Sequence, residues 1–296
     1  MPNSADIEVG GRWHSMIEPL VSVLCLAYNH ELFLAQALDS FLMQRTSFNF
    51  EIVVGEDYSQ DGTASILAAY AQRFPGKIRP LWAEQNLGMV ANMRRTQAAC
   101  RGKYIAICEG DDYWTDPEKL QKQVDFLQSN PEYVLSFHDA LVLVNGVIEP
   151  MPQLPGRFRR DASAMELLTG RPLSTLTVCY RNVMKTIPAD FDRVPMLDLC
   201  LWSLLGEHGK GKFMPNIEAS IYRVHSGGAV STKTQDAKYR MTLMTYAALS
   251  EYWRRRGNTE VARRLMNQAV LMGIKQLTMV SKIRAVIHNA IFFRSN

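Results

Sequence analysis

Three carboxylates stand within four residues at Glu109, Asp111 and Asp112, directly after the apolar run 104–108. Negative charge crowded at a strand end is unfavourable unless something pairs with it. Carboxylate oxygens are hard ligands that suit Mg2+ or Mn2+. Mg2+ in particular is commonly held by one or two carboxylates together with substrate phosphates. So sparse an acidic set points to a cation shared with a phosphorylated substrate; the simpler reading is a solvated acidic loop. A second set, Glu56 and Asp57, also follows an apolar run and precedes a helical pattern. A carboxylate there can accept a hydrogen bond from a base N–H or a ribose hydroxyl, while Asp61, Gly62 and Thr63 read as a capped turn. Neither G-x-G-x-x-G nor G-x-x-x-x-G-K-[ST] occurs, so the dinucleotide fingerprint and the P-loop are both absent.

These groups need elements to hold them. Residues 21–27 form a short apolar run, as in a strand buried on both faces. Leu34, Ala37, Leu38, Phe41 and Leu42 make one stripe of a helix over 31–44. A strand at 51–55 follows, then a helix from the cap at Asp61 to Phe74, ended by Pro75 and Gly76. A strand at 78–82, a helix at 89–100 and a strand at 104–108 complete the pattern. Strands alternating with helices predict a parallel sheet with helices on its faces. Ligands bind such a sheet beyond the carboxyl ends of its strands, where Tyr28, Glu56, Asp57 and 109–112 all fall. Beyond that, Asp116 and Pro117 start a helix to about Ser129, and 142–148 reads as a hairpin around Asn145 and Gly146. Pro150, Pro152 and Pro155 mark a loop, and from about Lys233 the pattern is helical.

The 296 residues, 47% hydrophobic and 21% charged, exclude a disordered chain, a collagen-like fibre and a disulfide-stapled miniprotein. They suit one large domain or a domain with an appendage. A net charge of +4 is too mild to indicate nucleic acid. The charge is uneven, however: residues 253–296 hold nine basic side chains and one acid. The five cysteines are odd in number, lack a C-x-x-C pair and mostly sit in apolar runs, as buried free thiols do. Residues 1–19 lack the apolar stretch of a signal peptide, and no run approaches the length of a spanning helix. The expectation is a cytoplasmic protein.

Four segments in this order and spacing resemble family 2 glycosyltransferases: Val21 to Asn29, Glu51 to Thr63, Asn86 to Gly88, and Gly102 to Trp114, with Tyr222 to Gly228 matching later. The resemblance covers residues 20–230. It implies an α/β GT-A fold, a Rossmann-like mixed sheet flanked by helices, with 1–19 as an N-terminal extension and 231–296 as a C-terminal helical region. It also implies a nucleotide-sugar donor, usually of uridine, and Mn2+ or Mg2+ as cofactor. By position, Asp112 is the direct metal ligand and Asp111 contacts the donor sugar or ribose. Glu56 and Asp57 bind the base, Ala27 and Tyr28 line the nucleotide cleft, and Arg94 or Arg95 contacts base or phosphate. His225 completes the metal shell and Arg223 pairs with diphosphate. The general base for inverting transfer is Asp198, by its distance after the metal motif; Leu197 stands where many members have a glutamate. Asp190 and Asp192 are substitutes for it, and Asp198 also reads as the cap of a helix from Leu199. Apolar neighbours raise the pKa of Asp198 and improve it as a base.

The implied activity is metal-dependent sugar transfer to a glycan or lipid-linked acceptor in the making of a surface polysaccharide or lipopolysaccharide. The rival is a non-catalytic assembly protein of such a pathway that binds nucleotide-sugar or partner proteins. Basic residues interrupting apolar stripes in 233–296 leave two readings of the tail. Its helices either pack on the catalytic domain or lie on an anionic membrane surface, at the inner face of the cell membrane.

Overall fold

The computed structural model describes residues 18–184, 186–228 and 232–274. The first half alternates as the pattern predicts: β1 (Val21–Ala27), α1 (Leu34–Leu42), β2 (Phe50–Glu56), α2 (Thr63–Arg73), β3 (Ile78–Leu81), α3 (Met89–Ala99) and β4 (Tyr104–Ile107). Then come α4 (Lys119–Ser129), β5 (Tyr133–Phe137), β6 (Ala140–Val144), β7 (Val147–Pro152), α5 (Ala164–Leu168) and β8 (Cys179–Arg181). The last are α6 (Leu197–Leu205), β9 (Lys210–Phe213), β10 (Ser220–Val224) and α7 (Gln235–Arg255), followed by α8 over 259–274.

β3, β2, β1 and β4 lie side by side and parallel. Their apolar runs are buried on both faces because helices cover both. The sheet continues through β8, which is antiparallel to both β4 and β5, to β9, giving a mixed seven-stranded sheet. The acidic turn is tied to β1 beyond the last strand pair: Cys108 N–H donates to Leu24 O at 3.1 Å and Gly110 N–H to Leu26 O at 2.8 Å. Asp57 N–H donates to Ala27 O at 3.0 Å, so both acidic motifs emerge at one edge. Gly55 lets α3 approach, since a Cβ there would collide with the Thr96 and Asn92 side chains.

A small second sheet runs β10-β6-β7. Asn145 and Gly146 turn the β6–β7 hairpin with φ of 49° and 80°, the left-handed pair that such turns need. The expected loop around Pro150 and Pro152 is instead part of β7, whose place at the sheet edge tolerates residues without an N–H. Asp116 caps the turn before α4 rather than the helix itself, accepting from Glu118 N–H at 2.8 Å.

The described part of the tail packs on the domain. Tyr246, Leu249 and Trp253 of α7 and Val261 and Leu265 of α8 are buried, and Trp253 Nε1–H donates to Ser203 Oγ at 2.9 Å. Its arginines are paired: Arg254 with Glu251 at 2.8 Å, Arg255 with Asp190 at 2.6 Å, and Arg263 and Arg264 with Glu260 at 2.7 Å. Among the described residues no helix is long and apolar enough to cross a membrane. The basic and apolar positions read in 275–296, and the extension before residue 18, lie outside the described residues.

Glu51 anchors the opposite edge of the sheet. Buried at the start of β2, it accepts from Ser22 Oγ–H at 2.7 Å, Arg101 N–H at 3.0 Å and the Arg101 guanidinium at 2.7 Å. Burial works against its charge, but these bonds prevail and hold its carboxyl below the usual range. Glu51→Gln removes the charge-assisted bonds and is expected to lower the unfolding free energy by about 1.5–3 kcal/mol in urea titrations. A loss under 0.5 kcal/mol, as at an ordinary surface site, would contradict this role.

Candidate active site

A part-enclosed pocket of about 320 Å³ lies at the carboxyl edge of β1 and β4, and Glu109, Asp111, Asp112, Asp198 and Arg223 all line it. Several elements and turns contribute, the loops at 153–154 and 173–176 among them. Leu26 comes from β1, the acidic turn follows β4, Met89 and Met93 sit on α3, Asp198 sits in the first turn of α6, and Tyr222 and Arg223 sit on β10.

Asp112 is buried and its Oδ1 accepts the Arg223 N–H at 2.8 Å, which ties the acidic turn to β10. Burial, then the charges of Asp111 and Glu109, push its carboxyl well above the usual aspartate range. Asp111 faces differently. Its Oδ2 meets His225 Nε2 at 3.0 Å and His30 Nε2 at 3.6 Å. Burial opposes its charge, but the His225 hydrogen bond and the two imidazoles outweigh that and lower its pKa. Glu109 is pushed up to about 8 by burial and by the Asp111 charge. The Arg223 guanidinium donates to Asp111 O and to Gln36 Oε1 and lies over the Tyr113 ring at 4.5 Å. His225 packs on Phe33 with centroids 4.6 Å apart. Asp198 is not the helix cap, because α6 begins one residue earlier, at Leu197. Burial raises its pKa, opposed by the backbone N–H groups of the first turn.

The residues expected to meet the base do not line the pocket. Glu56 accepts from Ser59 N–H at 2.7 Å and Tyr58 N–H at 3.2 Å, closing its own turn. Asp57 accepts from Leu87 N–H and Gly88 N–H, both at 2.9 Å, and so fixes the two residues before α3, whose first residue, Met89, lines the pocket. Ala27 is buried and Tyr28 is exposed, and neither lines the pocket. Arg94 pairs with Asp192 and donates to Pro188 O at 2.8 Å. Arg95 donates to Glu56 O at 2.6 Å and Trp82 O at 2.9 Å. The structure brings neither guanidinium into the pocket. Asp190 and Asp192, the substitutes for Asp198, are likewise spent on Arg255 and Arg94 and do not line it.

Among the described residues no group of three or more His, Cys, Asp or Glu side chains is arranged to hold an ion. Asp111 Oδ2 and His225 Nε2 nevertheless lie 3.0 Å apart, side by side. An oxygen and an imidazole nitrogen suit a cation whose remaining ligands are substrate phosphates. Sequence reading missed His30 as a site residue, and took Glu109 as part of the acidic set with no role of its own. His30 lies two residues beyond Tyr28 at the same sheet edge, and that placement was the available signal.

A family model described as glycosyl transferase family 2 matches residues 22–170. The uncharacterized protein Rv1520 of Mycobacterium tuberculosis is 36% identical over 212 residues, 70% of this chain, which spans 60% of that relative's length. An Escherichia coli protein, UDP-Glc:alpha-D-GlcNAc-diphosphoundecaprenol beta-1,3-glucosyltransferase WfaP, is 26% identical over 222 residues, covering 73% of this chain and 82% of its own. Among solved structures, S. aureus TarS 1–349 with UDP-GlcNAc superposes with a TM-score of 0.56 at 18% identity, covering 77% of this chain and 66% of that one. The mannosyltransferase PcManGT of Pyrobaculum calidifontis, solved with GDP-Man and Mn2+, reaches 0.59 at 13% identity over 90% and 76%. These two share the fold.

Proposed function

The chain belongs to glycosyl transferase family 2 and has the GT-A fold, and from that premise we propose that it transfers a sugar from a nucleotide-diphosphate donor to an acceptor hydroxyl, with inversion and with Mn2+ or Mg2+. One observation carries the reading: Asp111, which His225 meets at 3.0 Å, and Asp198 line a single pocket at the strands' carboxyl edge. TarS and PcManGT support a nucleotide-sugar donor, and PcManGT supports Mn2+. WfaP supports a lipid-linked acceptor and, with TarS, a uridine nucleotide.

In this reading the cation's protein ligands are Asp111 and His225. Asp112, given the role by sequence position, instead fixes the turn through the Arg223 N–H. Bound there, the ion would supply Lewis-acid stabilisation of charge on the leaving diphosphate oxygens. Arg223 braces the Asp111 backbone. A carboxylate oxygen of Asp198 takes the acceptor hydroxyl's proton as the hydroxyl oxygen attacks the anomeric carbon from the face opposite the diphosphate, whose bond to that carbon breaks. Glu56 and Asp57 shape the base cleft, with Tyr28 at its rim. Aliphatic walls around Asp198 limit competing attack by water.

The direct test is donor turnover. With Mn2+ present, release of nucleoside diphosphate is expected, lost with EDTA and restored by added metal; no release from any donor with any divalent metal would count against the reading. The pH profile tests the base. A base must be deprotonated, and burial raises Asp198, so kcat/KM is expected to climb with pH along an acidic limb above the free aspartate value of about 3.9. An acidic limb at or below that value would remove Asp198 from the role.

A further inference from the structure

The pocket has two unlike kinds of lining: the carboxylates, and a set of aliphatic side chains, Met89 and Met93 from α3, Leu173 from the loop before β8, and Leu197 and Leu201 from α6 on either side of Asp198. Met93, Leu173, Leu197 and Leu201 are all buried, so this wall belongs to the core and cannot turn a polar group inward. Of the polar groups nearby, Ser174 Oγ–H already donates to Gln153 Oε1. Arg223 is the one cationic side chain among the described residues lining the pocket. Its guanidinium is committed to Asp111 O and Gln36 Oε1.

Two consequences follow for a sugar placed between Asp111 and Asp198. A hydroxyl against the methionine and leucine wall loses its water and gains no partner, which is unfavourable. A methyl group there buries apolar surface, which is favourable. A carboxylate on the sugar would face Asp111 and Asp198, and the one cationic side chain lining the pocket, Arg223, is already committed. We propose that the sugar seated in this pocket is neutral and carries a methyl-bearing substituent, an acetamido group or a 6-deoxy carbon, packed against the wall formed by α3 and α6. This rests on the transfer reading above and narrows its substrate class.

The test uses the full chain with Mn2+ and donors matched in nucleotide: UDP-N-acetylglucosamine against UDP-glucose and UDP-glucuronate, and dTDP-6-deoxyglucose against dTDP-glucose, with GDP-mannose alongside. Thermal stabilisation reads binding and nucleoside diphosphate release reads turnover. A methyl-sized difference in an apolar pocket discriminates by about 10- to 200-fold. The acetamido or the 6-deoxy donor is therefore expected to exceed its plain partner by about tenfold or more in kcat/KM, with UDP-glucuronate weakest of the uridine donors. Met93→Gln, similar in size but polar, is expected to remove most of that preference; Met89→Gln, at an exposed position, serves if the first variant melts early. Preference for UDP-glucose, UDP-glucuronate or GDP-mannose overturns the proposal, as does a preference that survives both variants. If no donor stabilises or turns over, the transfer reading itself fails and takes this one with it.

Discussion

Asp198→Asn is expected to lower kcat for sugar transfer by about 10²- to 10⁴-fold, the usual contribution of a positioned general base, with donor affinity almost unchanged. The substitution keeps the shape of the side chain and its place in the first turn of α6, so α6 and the pocket wall stay as they are. It removes the ability to take a proton. Donor affinity survives because Asp111 and His225, the proposed metal ligands, lie on segments other than α6. Calorimetric titration with the nucleotide-sugar, beside initial rates of transfer, separates the two effects. A variant that binds donor normally and transfers within tenfold of the parent rate would show that the proton leaves by another route. Asp190 and Asp192 offer none from this pocket, since neither lines it.

Asp111→Asn is expected to cost about 10³-fold in kcat/KM, because Lewis-acid stabilisation is worth several kcal/mol and each 1.4 kcal/mol is a factor of ten. Here donor affinity falls as well, and the response to added Mn2+ weakens. The comparison with Asp112→Asn decides between two assignments of the metal. An asparagine at 112 keeps an oxygen for the Arg223 N–H, the one hydrogen bond that Asp112 Oδ1 makes in the structure. Asp112→Asn should therefore lose much less than Asp111→Asn. The reverse ranking, measured as activity against Mn2+ concentration, would return the ligand role to Asp112 as the sequence motif suggests.

What the sequence makes legible is what local pattern controls. β1 and β2 read as buried runs because both faces of a central parallel strand are covered, and the Asn145–Gly146 turn reads from its backbone requirement. The acidic turn reads as functional because it follows a strand. β8 does not read at all: three residues carry no periodicity, and its place between β4 and β5 is set by partners distant in the chain. The arginines of α3 fail for a related reason. Helical spacing shows that Arg94 and Arg95 are on the helix, but not that Asp192, Pro188 and Glu56 are waiting for them. Asp198 gives no local signal beyond a carboxylate among apolar neighbours. Resemblance to a family selects it, and the fold brings it to the same pocket as Asp111. The difference between Asp111 and Asp112 also lies beyond sequence, since it depends on which carboxylate the β10 backbone claims.

The site's central claim is most directly tested by anomalous diffraction at the manganese edge from crystals grown with Mn2+ and a nucleoside diphosphate. The account predicts one peak bound by Asp111 Oδ2 and His225 Nε2, carrying the diphosphate, with Asp198 across the same pocket. A nucleotide seated away from this pocket, or manganese held without Asp111, would contradict it.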